Sequence, residues 1–257
     1  NGVYAFLAFS FCASAIYSLN DLIDAEADRL HPQKMKRPVA AGTVTPVQAV
    51  LFSIGMIALS AAFCAVINSW SFFLVILGYF ILNLLYCFGL KKVVLLDICC
   101  IGIGFVLRVL AGAAVASVPV SHWIIIITFL LALFLALAKR RDDVLLATQQ
   151  GTIARKNIDL YNLEFISSSM VLMASVTVVS YILYTVSPEI IQLHRSDKLY
   201  LTGFWVLLGF LRYMQITFVE HKSGSPTLVL LKDYFLQFIL AAWLVSFFIL
   251  LYVSGGQ

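Results

Sequence analysis

Charged side chains are in short supply. Asp, Glu, Lys and Arg make up only 12% of the 257 residues, about half the ~25% of a soluble domain. That deficit excludes a disordered chain and almost any ordinary soluble enzyme. Cysteine is also scarce: Cys12, Cys64, Cys87, Cys99 and Cys100 all fall inside apolar runs, with no CxxC pair and no neighbouring His. A disulfide-stapled secreted scaffold is excluded, and the thiols read as small buried hydrophobes rather than metal or redox groups. Short alternating strands are missing, which excludes an outer-membrane barrel. No signal-peptide pattern is present.

What remains is apolar, with 62% hydrophobic residues and a mean hydropathy of +0.98. A spanning helix needs ~20 apolar residues. Runs of that order cover 3–20, 46–67, 70–89, 94–117, 121–138, 163–186, 199–218 and 233–253. The expected fold is all-α, a polytopic transmembrane helical bundle, with residues 1–257 forming a single integral-membrane domain. Residue 1 is Asn and opens directly into an apolar run. A further helix is therefore expected ahead of it, making the eight visible spans part of nine.

The bases set an orientation. Fourteen of the seventeen Lys and Arg fall on one side of these runs: Arg29, Lys34, Lys36, Arg37, Lys91, Lys92, Lys139, Arg140, Arg141, Arg155, Lys156, Arg212, Lys222 and Lys232. Arg195 and Lys198 fall on the other, and Arg108 lies inside a run. The positive-inside rule puts the majority in the cytoplasm, so a multi-pass protein of the cell membrane with a cytoplasm-facing site is expected. Two long connections, 21–45 and 139–162, lie on that side and carry acids as well as bases. Topology explains the bases. The acids require a different explanation.

Asn20, Asp24 and Asp28 are spaced i, i+4, i+8 after the first run, so a continuing helix stacks them on one face, with Tyr17 a turn earlier. Like charges at i, i+4 repel, which makes the ladder costly unless something binds it. Its oxygens are the kind that Mg²⁺ takes, the remaining positions being filled by water and substrate phosphates. Lys34, Lys36 and Arg37 follow at once. Acids for a cation and bases for phosphate oxygens together describe a diphosphate site.

Asn20-Asp21-x-x-Asp24-x-x-x-Asp28, then Arg37-Pro38 and Gly42, resembles the first aspartate-rich motif of the UbiA prenyltransferase superfamily. The resemblance implies an intramembrane bundle of nine helices that holds a diphosphate substrate through Mg²⁺ at the cytoplasmic helix ends. Members that prenylate aromatic rings carry a second aspartate-rich motif. Here that stretch reads Lys139-Arg140-Arg141-Asp142-Asp143, followed by Arg155, Lys156 and Tyr161. A basic cluster suits a ligand richer in phosphate than a prenyl diphosphate. Arg108, in Gly104-Phe-Val-Leu-Arg108-Val-Leu-Ala-Gly112, costs at least ~2.5 kcal/mol within a span, so its default reading is functional. A lock with Asp97 or with a carbonyl is the structural alternative, and Asp97 reads equally as a helix cap.

Together these segments are similar to the decaprenyl-phosphate phosphoribosyltransferase branch of that superfamily, which commonly has Glu where this chain has Asp143. The resemblance implies transfer of 5-phosphoribose from phosphoribosyl diphosphate to a polyprenyl phosphate. Under it Asn20, Asp24 and Asp28 hold Mg²⁺. Lys36 and Arg37 join Asp24 and Asp28 in catalysis by closing over the departing diphosphate. Tyr17, Lys34, Arg108, Lys139, Arg140, Asp143, Arg155 and Tyr161 bind substrate. His31 before Pro32 shapes a loop. The alternatives are a UbiA-type transfer of a prenyl group to an aromatic or haem acceptor and, behind it, a non-catalytic lipid-phosphate transporter. Nucleic acid is not an expected partner, and a homo-oligomer stays open.

Overall fold

The computed structural model describes residues 1–30, 34–150, 161–194, 196–221 and 225–252, with the backbone alone at 146–150. The described residues are helical and include no strand. They form two compact units, Asn1–Ser121 and His122–Gln257. The first unit contains α1 (Gly2–Ile23), α2 (Ala25–Arg29), α3 (Pro46–Ile67), α4 (Trp70–Phe88) and α5 (Leu96–Ala116). The second contains α6 (His122–Gln150), α7 (Leu163–Thr185), α8 (Pro188–His194), α9 (Gly203–Gln215), α10 (Pro226–Lys232) and α11 (Tyr234–Tyr252). Among the described residues eight helices are long and apolar enough to cross a membrane, the seventh being Leu199–Glu220. The protein is an all-helical, multi-pass membrane protein.

Local chemistry fixes the ends of these helices. Thr45 accepts from the Gln48 N–H while the Gln48 side chain accepts from the Thr45 N–H, a reciprocal cap followed by Pro46 in the first turn. Asn68 ends α3 in the left-handed region at φ 53°, and Ser69 caps α4. One boundary differs from expectation. The apolar run ends at 138, yet α6 continues through Gln150 and carries Lys139–Asp143 on a helix rather than a loop. Apolarity measures what the membrane holds, whereas helix continuation depends on propensity. Lys, Arg, Leu, Ala and Gln are good helix formers, and no Gly or Pro intervenes before Gly151.

In the first unit, α1 and α3 approach closely along small residues. Ser60 Oγ donates to the Ala8 carbonyl at 2.8 Å, Ser53 Oγ to Ala15 at 3.2 Å and Ser18 Oγ to Ala49 at 3.1 Å. Without a hydrophobic drive inside lipid, such packing and interhelical hydrogen bonds are what associate spans. Cys12 and Cys64 continue this seam a turn further on, and Phe72, Ile76, Tyr79 and Cys87 of α4 join the same core. In the second unit Trp243 Nε1 donates to Tyr181 Oη at 2.9 Å, and Tyr181 Oη shares a 2.7 Å hydrogen bond with Thr202 Oγ1. This chain ties α11, α7 and the turn before α9 together.

Candidate active site

The α1 helix formally stops at Ile23, but the ladder's register survives the break. The Asp24 N–H donates to the Asn20 carbonyl at 2.9 Å and the Asp28 N–H to the Asp24 carbonyl at 2.8 Å. Asn20, Asp24 and Asp28 therefore still stack. Lys91, on the 3₁₀ turn Leu90–Lys92 between α4 and α5, brings Nζ to 2.5 Å from Asp24 Oδ1 and 3.3 Å from Asn20 Oδ1. Cys87 Sγ donates to that same Asn20 oxygen at 3.5 Å. Asn20 and Asp24 thus aim oxygens at one point, and an ammonium already sits there.

That arrangement fits a hard cation. Among the described residues no three His, Cys, Asp or Glu side chains converge, but Mg²⁺ typically takes one or two carboxylates and completes its shell with water and phosphate. Asp28 is placed differently. It is buried, and its Oδ2 lies 2.8 Å from Arg37 Nη1, which also reaches Asp21 Oδ1 at 3.0 Å. Asp28 and Arg37 neutralise each other, an arrangement that orients the ladder's lower turn. Tyr17 and Lys36 are exposed, and Lys34 is half-buried.

The link from that turn into α5 is strained. Leu95 adopts φ +68° just before α5, an outlier of the kind that costs on the order of 1–3 kcal/mol and persists only where surroundings over-determine it. Asp97 follows, 1% exposed in the first turn of α5, where a carboxylate is favoured by the helix dipole. Arg108 lies eleven residues further on, about 16 Å at 1.5 Å per residue, which rules out a lock between the two along α5. Its Nη2 donates to Tyr79 Oη at 2.9 Å instead, and its guanidinium stands over the rings of Phe105, Tyr79 and Phe9.

In the second unit the two arginines of the basic run are buried and internally engaged. Arg140 is 5% exposed and pairs with Asp143 Oδ2 at 3.1 Å. Arg141, 8% exposed, donates through Nη1 to the Thr217 carbonyl at 2.6 Å and through Nε to Ser167 Oγ at 3.4 Å. It also lies over the Phe218 ring, 5.0 Å from the centroid. Thr217 and Phe218 belong to a π turn, Ile216–Glu220, which leaves carbonyls without their usual helical partners. Arg141 is accordingly a backbone clamp. Arg212 closes the other side of the turn, with Glu220 at 2.9 Å and Asp233 at 2.5 Å. The hydrogen bond from Arg212 holds the Asp233 carboxyl below the usual carboxylate range. Lys139 is exposed and Tyr161 is buried. Arg155, Lys156, His31 and Pro32 lie outside the described residues.

Several participants escape a reading by spacing. Lys91 reads as a topology base, yet it meets Asp24 across 67 residues of sequence. Asp21 stands inside the aspartate-rich motif without a role of its own and Cys87 reads as a core thiol, while nothing in the spacing singles out Tyr79 or Phe9. No local pattern marks such contacts, because each joins separate helices.

The UbiA prenyltransferase family model matches residues 2–148. A decaprenyl-phosphate phosphoribosyltransferase from Mycolicibacterium smegmatis is 33% identical over 97% of this chain and 80% of its own length. One from Corynebacterium glutamicum is 31% identical over 97% of this chain and 75% of its own length. The structure of a UbiA homolog from Archaeoglobus fulgidus bound to GPP and Mg2+ superposes with a TM-score of 0.71, 23% identity and coverage of 97% of this chain and 87% of that one. That likeness concerns the fold.

Proposed function

Because the chain belongs to the UbiA prenyltransferase family, we propose that it transfers 5-phosphoribose from phosphoribosyl diphosphate to a polyprenyl phosphate, releasing diphosphate. The carrying observation is likeness along 97% of the chain to decaprenyl-phosphate phosphoribosyltransferases. The site chemistry agrees: one oxygen ladder already bridged by a cation, and a basic rather than acidic second motif.

In this reading Asn20 and Asp24 would hold Mg²⁺ on the donor's diphosphate, with Asp28 orienting them from its pair with Arg37. When bound, the ion neutralises charge on the leaving group. Lys91, which already spans Asn20 and Asp24, stands beside the departing oxygens, with Lys34, Lys36 and Arg37 following the ladder. Lys139, Arg140 with Asp143, Arg155 and Tyr161 are assigned to the remaining phosphates, Tyr17 to the donor and Arg108 to the lipid.

The bond that breaks joins the anomeric carbon to the diphosphate oxygen, which leaves with the electron pair. The bond that forms joins that carbon to an oxygen of the lipid phosphate. The acceptor is ionised at neutral pH, so no general base is needed. The main requirement is stabilising charge on the leaving group, and preorganised cations meet it. By the positive-inside rule the ladder faces the cytoplasm, and we assign the bundle to the cell membrane.

The test uses membranes containing the chain, labelled phosphoribosyl diphosphate and polyprenyl phosphate. Label is expected in the organic phase only when Mg²⁺ and the lipid are both supplied. Consumption of a prenyl diphosphate without phosphoribosyl transfer would replace this reading with the aromatic or haem prenyltransferase.

A further inference from the structure

Arg108 sits midway along α5, where few charges survive, and three helices build a box around it. Its guanidinium carbon is 4.9 Å from the Phe105 ring centroid on α5, 5.2 Å from Tyr79 on α4 and 5.5 Å from Phe9 on α1. Rings engage the flat faces of a guanidinium, whereas its N–H groups project along the edge. Among the described residues one edge hydrogen bond is made, to Tyr79 Oη at 2.9 Å. Tyr79 is itself held firmly, 3% exposed with its ring centroid 4.4 Å from that of Phe9. Faces gripped and one donor fixed, the rest of the edge has a set direction.

The box also has a set depth. Phe9 precedes Asn20 by eleven residues on α1, and Arg108 follows Asp97 by eleven on α5. Each ruler puts the box about 16 Å from the ladder end at 1.5 Å per residue. Helical side chains lean towards the helix N-terminus, which for Arg108 is the ladder end, and its place over Phe105 agrees. An attacking oxygen approaches the anomeric carbon from the side opposite the departing diphosphate. With the diphosphate at the ladder, the attacker arrives from deeper in the membrane. The anion whose remainder suits apolar surroundings there is a lipid phosphate.

We infer that Tyr79 is a positioning residue for the acceptor: with Phe9 and Phe105 it fixes Arg108 so that the guanidinium's open edge receives the phosphate of the polyprenyl phosphate. This rests on the phosphoribosyl-transfer reading and names the residues that aim its acceptor.

The experiment uses the full chain in nanodiscs and compares thermal stabilisation by decaprenyl phosphate with that by decaprenol, a readout independent of turnover. The wild type is expected to gain more from the phosphate. Tyr79→Phe should lose most of that difference and raise KM for the lipid roughly tenfold, leaving KM for phosphoribosyl diphosphate unchanged. Combined with Arg108→Lys, Tyr79→Phe should add little, since both act through one contact. Phe105→Leu supplies the same measurements should Tyr79→Phe fail to fold. A phosphate preference intact in Tyr79→Phe, additive effects, or a loss confined to the donor would overturn the inference. Phosphate-specific stabilisation without any phosphoribosyl transfer would instead remove the transfer reading and leave the anion site standing.

Discussion

The polar ends of the two units use similar residues to opposite effect. In the first, Asn20 and Asp24 are half-buried, and their cationic partner Lys91 is an ammonium on a turn. In the second, Arg140 and Arg141 are nine-tenths buried, one paired with Asp143 and the other hydrogen-bonded to a backbone carbonyl. An ammonium is a point charge with no fixed fork, so a pair made through one nitrogen exchanges partners more readily than a guanidinium held by several acceptors. The buried Arg141 guanidinium, with its fixed acceptors, does not exchange readily, since each lost contact leaves a polar group stranded. Charge count alone makes the second cluster the stronger phosphate trap. Geometry divides its members, giving Arg141 to the fold and leaving Lys139 exposed.

The sharpest way to break this contrast is Asp24→Ala. Losing the ladder's central carboxylate should lower phosphoribosyl transfer on the order of a thousandfold, measured with labelled donor at saturating Mg²⁺, while thermal stability barely changes. Unchanged turnover would remove Asp24 from the site. Lys91→Ala should have a smaller effect, roughly 10- to 100-fold in turnover. It should also lower the half-saturating Mg²⁺ concentration, because the resident ammonium no longer competes for Asn20 and Asp24. A rise in the Mg²⁺ requirement would show that Lys91 supports the metal rather than standing in its place.

Arg141→Ala should reverse the pattern. It removes a buried clamp and costs about 1–3 kcal/mol of stability, read as a lower melting temperature, while lipid and donor KM move little in the protein that stays folded. A large donor KM effect at unchanged melting temperature would return Arg141 to substrate binding. The smallest effect concerns pH. Because Arg212 depresses the folded Asp233 carboxyl, its stabilisation is complete above the ordinary Asp value of about 4 and is lost as pH falls through the folded value. Melting curves below that pH should steepen in the wild type relative to Asp233→Asn.

Much of this was legible beforehand. Thr45, Pro46 and Asn68 bound a helix at the very limits of its apolar run, since caps and hydrophobicity agree there. The ladder's spacing was legible because i, i+4 is local. The length of α6 was not, because transfer into lipid and helix propensity are different quantities and part company at Lys139. Nor were the roles of Arg141 and Lys91, whose partners lie 76 and 67 residues away.

Composition and periodicity by themselves determined a membrane-spanning helical bundle, its basic face and an oxygen ladder fit for a cation. Each of these follows from properties summed along a short stretch of chain. Tertiary structure decided which charges are offered and which are spent: Lys91 on the ladder, Arg37 on Asp28, Arg141 on the π turn and Arg108 inside its aromatic box. A charge acquires its role from the partner that reaches it, and in a helical bundle that partner comes from another helix.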